Sequence, residues 1–399
     1  MLFFHYIDQI RRHGYRVLCL LLVEKGSTVA ASDIERFKRE VEAPGQCEVA
    51  AAVVDRLIQV AGASATIQAG RVDAATAERA RRFEPELVLC FDIGAAAVAR
   101  ALDLRARFVA WLGDLNFQTF WFHARYDARE RAAALLRLPK IWLICRRWKA
   151  AYRTLLRGAD LVIVASASSQ DVLRGLGVRS RYLPYPWPVD KPFRPAARHR
   201  SATGRPRFLF CGTLSGLGSR SALHYLFDGV YPELQARWGA GGFEIVITGA
   251  RSLPAWAEAS LRDRPEVAFL GYVEDLYAEM DRCHAAIVPI DVPVGNRSRI
   301  VTAMGYGLLV IAHPNTALGN PELVADKTCL LAETPREFAR QMARAYEDPG
   351  RAERIELAAR ASYERNFEPR AAAALLIEQM DALLAERRGA VPAALSLAS

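Results

Sequence analysis

No apolar run in these 399 residues reaches the ~20 needed to cross a bilayer. The opening MLFFHYIDQIRRHGYRV lacks the cationic, apolar, small-residue order of a signal peptide. Seven cysteines show no paired spacing and mostly sit in apolar runs, which argues against a disulfide framework or a zinc site and for reduced core thiols in the cytoplasm. No Asp-x-Asp occurs, and the seven histidines form no ligand pattern, so no metal is expected. Acid is nearly missing from Arg129 to Arg157, where Glu130 is the one carboxylate among many cations.

What is present is a 52% hydrophobic chain, too long for one ordinary core, with a formal charge of +9 that comes from arginine. Trp142, Trp148 and Tyr152 interleave the basic stretch. It reads either as an amphipathic surface for anionic lipid or as a core-packed helix pair with a solvated arginine face. No nucleic-acid motif accompanies the charge, so nucleic acid is not expected as a partner. The expected location is cytoplasmic, peripheral at the inner membrane face under the first reading.

Strand-like runs alternate with helical ones at Arg16–Leu22, Leu87–Asp92, Phe108–Leu112, Leu161–Ser166 and Arg181–Tyr185. A proline- and arginine-rich stretch from Trp187 to Arg207 follows. The alternation then restarts at Arg207–Cys211, Phe243–Thr248, Val267–Leu270, Ala285–Ile290, Leu308–Ile311 and Cys329–Leu331. Apolar strands separated by helices imply parallel sheets covered on both faces. The predicted fold is α/β, two Rossmann-like doubly wound domains facing a cleft: residues 1–190 and 207–368, then a helix over 369–388 and a loose tail over 389–399. The first domain opens on a helix-like run, Leu2 to His13, where a doubly wound sheet should open on its central strand. The expectation is that translation starts upstream of Met1, the alternative being that this domain departs from the pattern.

The stretch from Cys283 to Leu331 carries most of the chemistry. An apolar run gives way to a loop, Gly295, Asn296, Arg297, Ser298 and Arg299, then a helical run and a second apolar run. Helix N-termini offer unpaired N–H groups and partial positive charge, and arginine adds forked donors that match phosphate oxygens. The unit suits a phosphate-bearing ligand; the plainer reading is an arginine pair solvating a helix start.

FLFCGTLSGLGSRSALHYL, VAFLGYVEDLYAEM and GNRSRIVTAMGYGLLVIAH resemble the C-terminal domain of GT-B glycosyltransferases, the family-4-like group. FVAWLGDL and ADLVIVASASSQDVLRGLGV resemble the acceptor-side strands of its first domain. The resemblance spans about Phe3 to Leu384 and is strongest from Arg207 to Leu331. It implies a sugar transferase using a nucleotide-sugar donor as substrate, with no cofactor, and a glycan or lipid-linked acceptor. It places Gly212, Thr213 and Ser215 beside the donor diphosphate and Gly271, Tyr272 and Val273 near the base. Arg299 takes the place of the family's phosphate-binding lysine, with Arg297 beside it.

The departures are specific. The family's two glutamates, eight positions apart, are replaced by Val294 and Thr302, and Gly113 stands where its first-domain histidine is usual. Asp114 is the candidate catalytic carboxylate, as base or acceptor-orienting group, or else a helix cap. Glu322 is a candidate contact to sugar or ribose, or a helix-starting acid. His313, at a strand end, is a candidate donor contact; His284 reads as structural, and His123 follows an aromatic cluster. Two alternatives stand beside the transferase: a protein that kept the fold for binding or regulation, and a nicotinamide-dependent oxidoreductase suggested by GLGSRS at Gly216–Ser221, a partial dinucleotide fingerprint.

Overall fold

A computed structural model describes residues 2–62, 65–191, 193, 204–214, 216–293 and 298–387. Ser215, Val294, Arg297, most of the stretch between Trp187 and Arg207, and the tail after Gly389 lie outside the described residues. The chain divides into two compact units: the chain up to Pro186 with the segment from Pro369, and Trp187–Glu368.

The first unit runs α1 (Leu2–Arg12), β1 (Val17–Glu24), α2 (Ala31–Glu42), β2 (Cys47–Val54), β3 (Ile58–Ala61), β4 (Thr66–Ala69), α3 (Ala74–Arg82), β5 (Leu87–Phe91), α4 (Asp92–Leu102), β6 (Arg107–Leu112), α5 (Asn116–Glu130), α6 (Leu138–Leu156), β7 (Leu161–Val164), α7 (Ala167–Arg174) and β8 (Arg181–Tyr182). β5, β6, β7 and β8 form one parallel sheet in that order, β1 pairs in parallel with β2 alone among the described residues, and β3–β4 is an antiparallel hairpin. The core follows the same split: one cluster is built on Phe108, Ala110 and Leu112, and another on Phe37, Val41, Cys47 and Val49. β1 and β5–β8 fall on the expected strand runs, whereas β2, β3 and β4 are strands that no such run marks. β2 is CEVAAAVV, whose alanines carry little strand propensity, although its burial alternates strictly for most of its length.

The second unit runs β9 (Arg207–Cys211), α8 (Leu217–His224), a π-helical turn (Tyr225–Val230), α9 (Tyr231–Trp238), β10 (Glu244–Thr248), α10 (Ala255–Leu261), β11 (Val267–Gly271), α11 (Leu276–Asp281), β12 (Ala285–Val288), α12 (Ser298–Tyr306), β13 (Val310–Ala312), α13 (Pro314–Ala317), β14 (Leu330–Leu331), α14 (Pro335–Glu347) and α15 (Pro349–Asn366). Its sheet is all parallel in the order β11-β10-β9-β12-β13-β14. That is the doubly wound order, and it reverses between β9 and β12. β10 and β12 read as short continuous apolar runs because helices cover both faces. A last helix, α16 (Pro369–Arg387), belongs to the first unit, where Tyr15 Oη donates to Asp381 and His13 faces the same carboxylate at 3.1 Å.

Candidate active site

Ligands of doubly wound sheets bind beyond the carboxyl ends of the strands where the order reverses, here past β9 and β12. The loop after β9 begins at Gly212, whose φ of +137° suits glycine. Its N–H donates to Thr248 O at 3.0 Å. A Cβ at Gly212 would lie 2.5 Å from Arg299 Nη2, so the missing side chain is what admits the guanidinium.

Arg299 comes from the first turn of α12, beyond β12. Its Nη2 donates to Ser219 Oγ at 2.9 Å, and Ser219 Oγ donates to Thr213 O at 2.5 Å. The guanidinium also lies over the Phe210 ring, 5.1 Å from its centre. These contacts tie the α12 start to the β9 loop. Nη1 is buried and has no hydrogen-bond partner among the described residues. Burial pulls the Arg299 pKa down. A desolvated cation with an open donor is costly unless an anion completes it, and a phosphate oxygen has the right charge and geometry.

The other expected donor residues fall on strand ends, a helix and a turn of the same unit. Gly271 ends β11, and the exposed Tyr272 and the half-buried Val273 follow it. Thr302, at the family's glutamate position, is one turn into α12, where its hydroxyl donates to Ser298 O at 3.0 Å and accepts from Trp187 Nε1 at 2.8 Å. Threonine thus holds Trp187 where a carboxylate is usual in the resembled family. His313 follows β13; its Nδ1 accepts from Asn315 N at 3.1 Å and caps α13, which puts the ring proton on Nε2. Burial lowers its pKa. Glu322 lies in a turn between α13 and β14, not at a helix start, and its carbonyl accepts from Thr328 Oγ1. His284 is buried, as its structural reading expects, with Nδ1 accepting from Arg207 N at 3.1 Å.

In the first unit, Asp114 is exposed just past β6, and the cap residue of α5 is Leu115, so Asp114 is not that helix's cap. Asp92, the last residue of the apolar run Leu87–Asp92, stands just past the neighbouring strand β5. It has φ +77°, in the left-handed region a non-glycine residue seldom adopts, and its carboxylate accepts from Ile93 N at 2.6 Å. Its side chain reaches solvent, yet packing around it pushes the pKa up by desolvation. Two carboxylates thus stand at adjacent strand ends, and both add to the rise that burial imposes on the Tyr152 phenol. Nothing in the sequence signals the strained φ of Asp92.

Gly216–Ser221 does not make a dinucleotide turn. Gly216 caps α8, and Gly218 and Ser219 lie inside the helix rather than in a loop before it. Structural likeness decides the fold. Sucrose-phosphate synthase from Thermosynechococcus elongatus superposes with a TM-score of 0.60 at 16% identity, over 93% of this chain and 100% of that one. Anabaena HepE in complex with UDP gives 0.62 at 16%, over 92% and 100%, and its complex with UDP-glucose gives 0.60 at 15%, over 92% and 99%. The fold is GT-B. Residues 205–348 of this GT-B chain match the family described as glycosyl transferases group 1. That span holds Gly212, Arg299 and the whole switch point. No curated protein matches the chain by sequence.

Proposed function

We propose that the protein is a glycosyltransferase that moves a sugar from a nucleotide-sugar donor to a glycan or lipid-linked acceptor. The observation that carries this reading is the buried Arg299 Nη1, a cationic donor at the switch point under Gly212 with no partner among the described residues. The group 1 match over the same residues and the UDP and UDP-glucose complexes of the similar HepE fold support it. Arg299, with Arg297 beside it in sequence, neutralises the diphosphate as it leaves, which is where charge develops in glycosyl transfer. Gly212, Thr213 and Ser215 flank the phosphates, Gly271, Tyr272 and Val273 the base, and Thr302, His313 and Glu322 the remaining wall. Tyr272, exposed at the end of β11, offers a ring face for stacking.

Asp114 acts on the acceptor hydroxyl as base or orienting group, with Asp92 beside it. No metal is required where arginine balances the diphosphate charge. Titration with UDP, GDP and ADP sugars tests the assignment: saturable binding of at least one, with diphosphate released in the presence of acceptor, is expected. Binding of a nicotinamide dinucleotide instead, or of no nucleotide, overturns it.

The acceptor side lies at an anionic membrane surface in this reading. The turn Ala132–Arg137 and the first half of α6 expose Leu135, Leu136, Trp142 and Leu143 among arginines, and Arg146 covers the Trp142 ring at 4.9 Å. The second half of α6 is packed into the core through Tyr152, Leu155 and Leu156. No described helix is long and apolar enough to cross a membrane. Apolar tips among cations match peripheral binding to anionic lipid. Vesicles containing phosphatidylserine should sediment the protein at low salt and lose it in a Leu136→Asp, Trp142→Asp double variant. Equal sedimentation of both forms, or none with either, removes the membrane from the account.

A further inference from the structure

The sheet of the first unit is interrupted at its centre. Among the described residues β1 pairs only with β2 and β5 only with β6, so each has an open edge. Both edges line one cavity of about 1330 Å³, to which β1 contributes the consecutive residues Val17–Leu22 and β5 the consecutive residues Leu87–Phe91. Consecutive residues, rather than alternate ones, line a space that a strand meets edge-on. Apolar side chains of α1, α4 and α16, among them Ile7, Val98 and Leu384, complete the walls. β1 reads VLCLLLVE, yet each of its apolar residues is only half-buried, whereas β12 is buried throughout. Such an apolar strand with an open edge is a pairing template, which native sheets rarely leave bare.

The order β2-β1, then the cavity, then β5-β6-β7 becomes the doubly wound order 3-2-1-4-5-6 once a single parallel strand is placed in the cavity. The length agrees. Six consecutive residues of β1 and five of β5 flank the cavity, the length of an ordinary strand.

The place of α1 says where this strand comes from. Phe3, at its start, packs on Phe91, the last residue of β5, at 4.2 Å between ring centres. Its other end leads through a short turn into Val17, the start of β1. The helix therefore begins at the carboxyl edge of the sheet and returns the chain to the amino edge. That is the crossover helix of a β-α-β unit, whose first strand lies parallel to and beside the second.

We propose that the slot between β1 and β5 is the seat of one further parallel strand, apolar on both faces, carried by the same polypeptide directly ahead of α1. It completes the sheet of the acceptor-side unit, and it stands or falls independently of what the second unit binds. The test compares the 399-residue chain with a form extended by the residues encoded in frame ahead of Met1. Amide exchange is read by mass spectrometry on peptides covering β1 and β5, with β6, already paired on both sides, as control.

The expected result is exchange slowed at least ~10-fold in β1 and β5 of the extended form, β6 unchanged, and a melting temperature higher by more than about 5 °C. Folding of the extended form alone would be the same outcome in a stronger form. Unchanged exchange in β1 and β5 overturns the proposal, as does an upstream frame with no apolar strand-length run. Protection of the 399-residue form that grows with protein concentration also overturns it, since a second copy would then be the occupant.

Discussion

Replacing Arg299 by methionine removes the guanidinium and leaves most of its stem against Phe210. Two effects of opposite sign follow from the geometry. The apo protein loses one hydrogen bond, Nη2 to Ser219 Oγ, and sheds a cation whose charge burial already disfavours. Those changes nearly cancel, so the melting temperature should hold steady or rise slightly. The diphosphate complex loses one or two charge-assisted hydrogen bonds, each worth about 1.5–3 kcal/mol. At 1.4 kcal/mol per decade, nucleoside diphosphates and their sugars should bind ~10- to 100-fold more weakly. Calorimetric titration should be run at fixed, near-physiological salt, because surface arginines attract any anion when screening is low. A variant that binds within about twofold of the parent would refute the reasoning. So would one that loses binding only in proportion to lost stability, since that pattern belongs to a purely structural arginine.

Three further outcomes follow from single contacts. Gly212→Ala puts a methyl group 2.5 Å from Arg299 Nη2 at a φ of +137°, so it should cost about 1–3 kcal/mol of stability and weaken diphosphate binding together, as chemical denaturation and titration would show; unaltered binding would mean that Arg299 does not need that space. Asp114→Asn should abolish sugar transfer while leaving donor affinity unchanged; retained turnover would strip Asp114 of its role. His313 has a folded-state pKa below its ordinary 6.5 because of burial, so the unfolded chain binds the proton more readily. Its stabilising contribution is complete above about pH 6.5 and is lost as pH falls below that. His313→Asn, which keeps a capping side chain, should therefore flatten the fall in melting temperature between about pH 7.5 and 5.5, and parallel slopes would contradict the buried neutral histidine.

The second unit was legible in the sequence nearly strand by strand. RFLFC, EIVIT and AAIV are short apolar runs with nowhere to go but a covered parallel sheet. The first unit was less so, since the alanines of β2 weaken its strand signal and the β3–β4 hairpin is a pair of four-residue strands. The place of Arg299 at a helix start was readable from local pattern. Its nesting against Gly212 was not, because a contact between distant loops depends on strand order rather than on local pattern. The left-handed backbone of Asp92 and the return of α16 to the first unit are tertiary facts of the same kind. The open edges that β1 and β5 show among the described residues are tertiary facts as well.

A crystal of the full chain soaked in turn with UDP, GDP and ADP sugars addresses the donor site most directly. The account predicts that the diphosphate of the one that binds lies past β9 and β12, with an oxygen about 2.7–2.9 Å from Arg299 Nη1. A diphosphate bound elsewhere, or a guanidinium that turns away from it, would contradict the claim that this buried arginine is the donor's counter-charge.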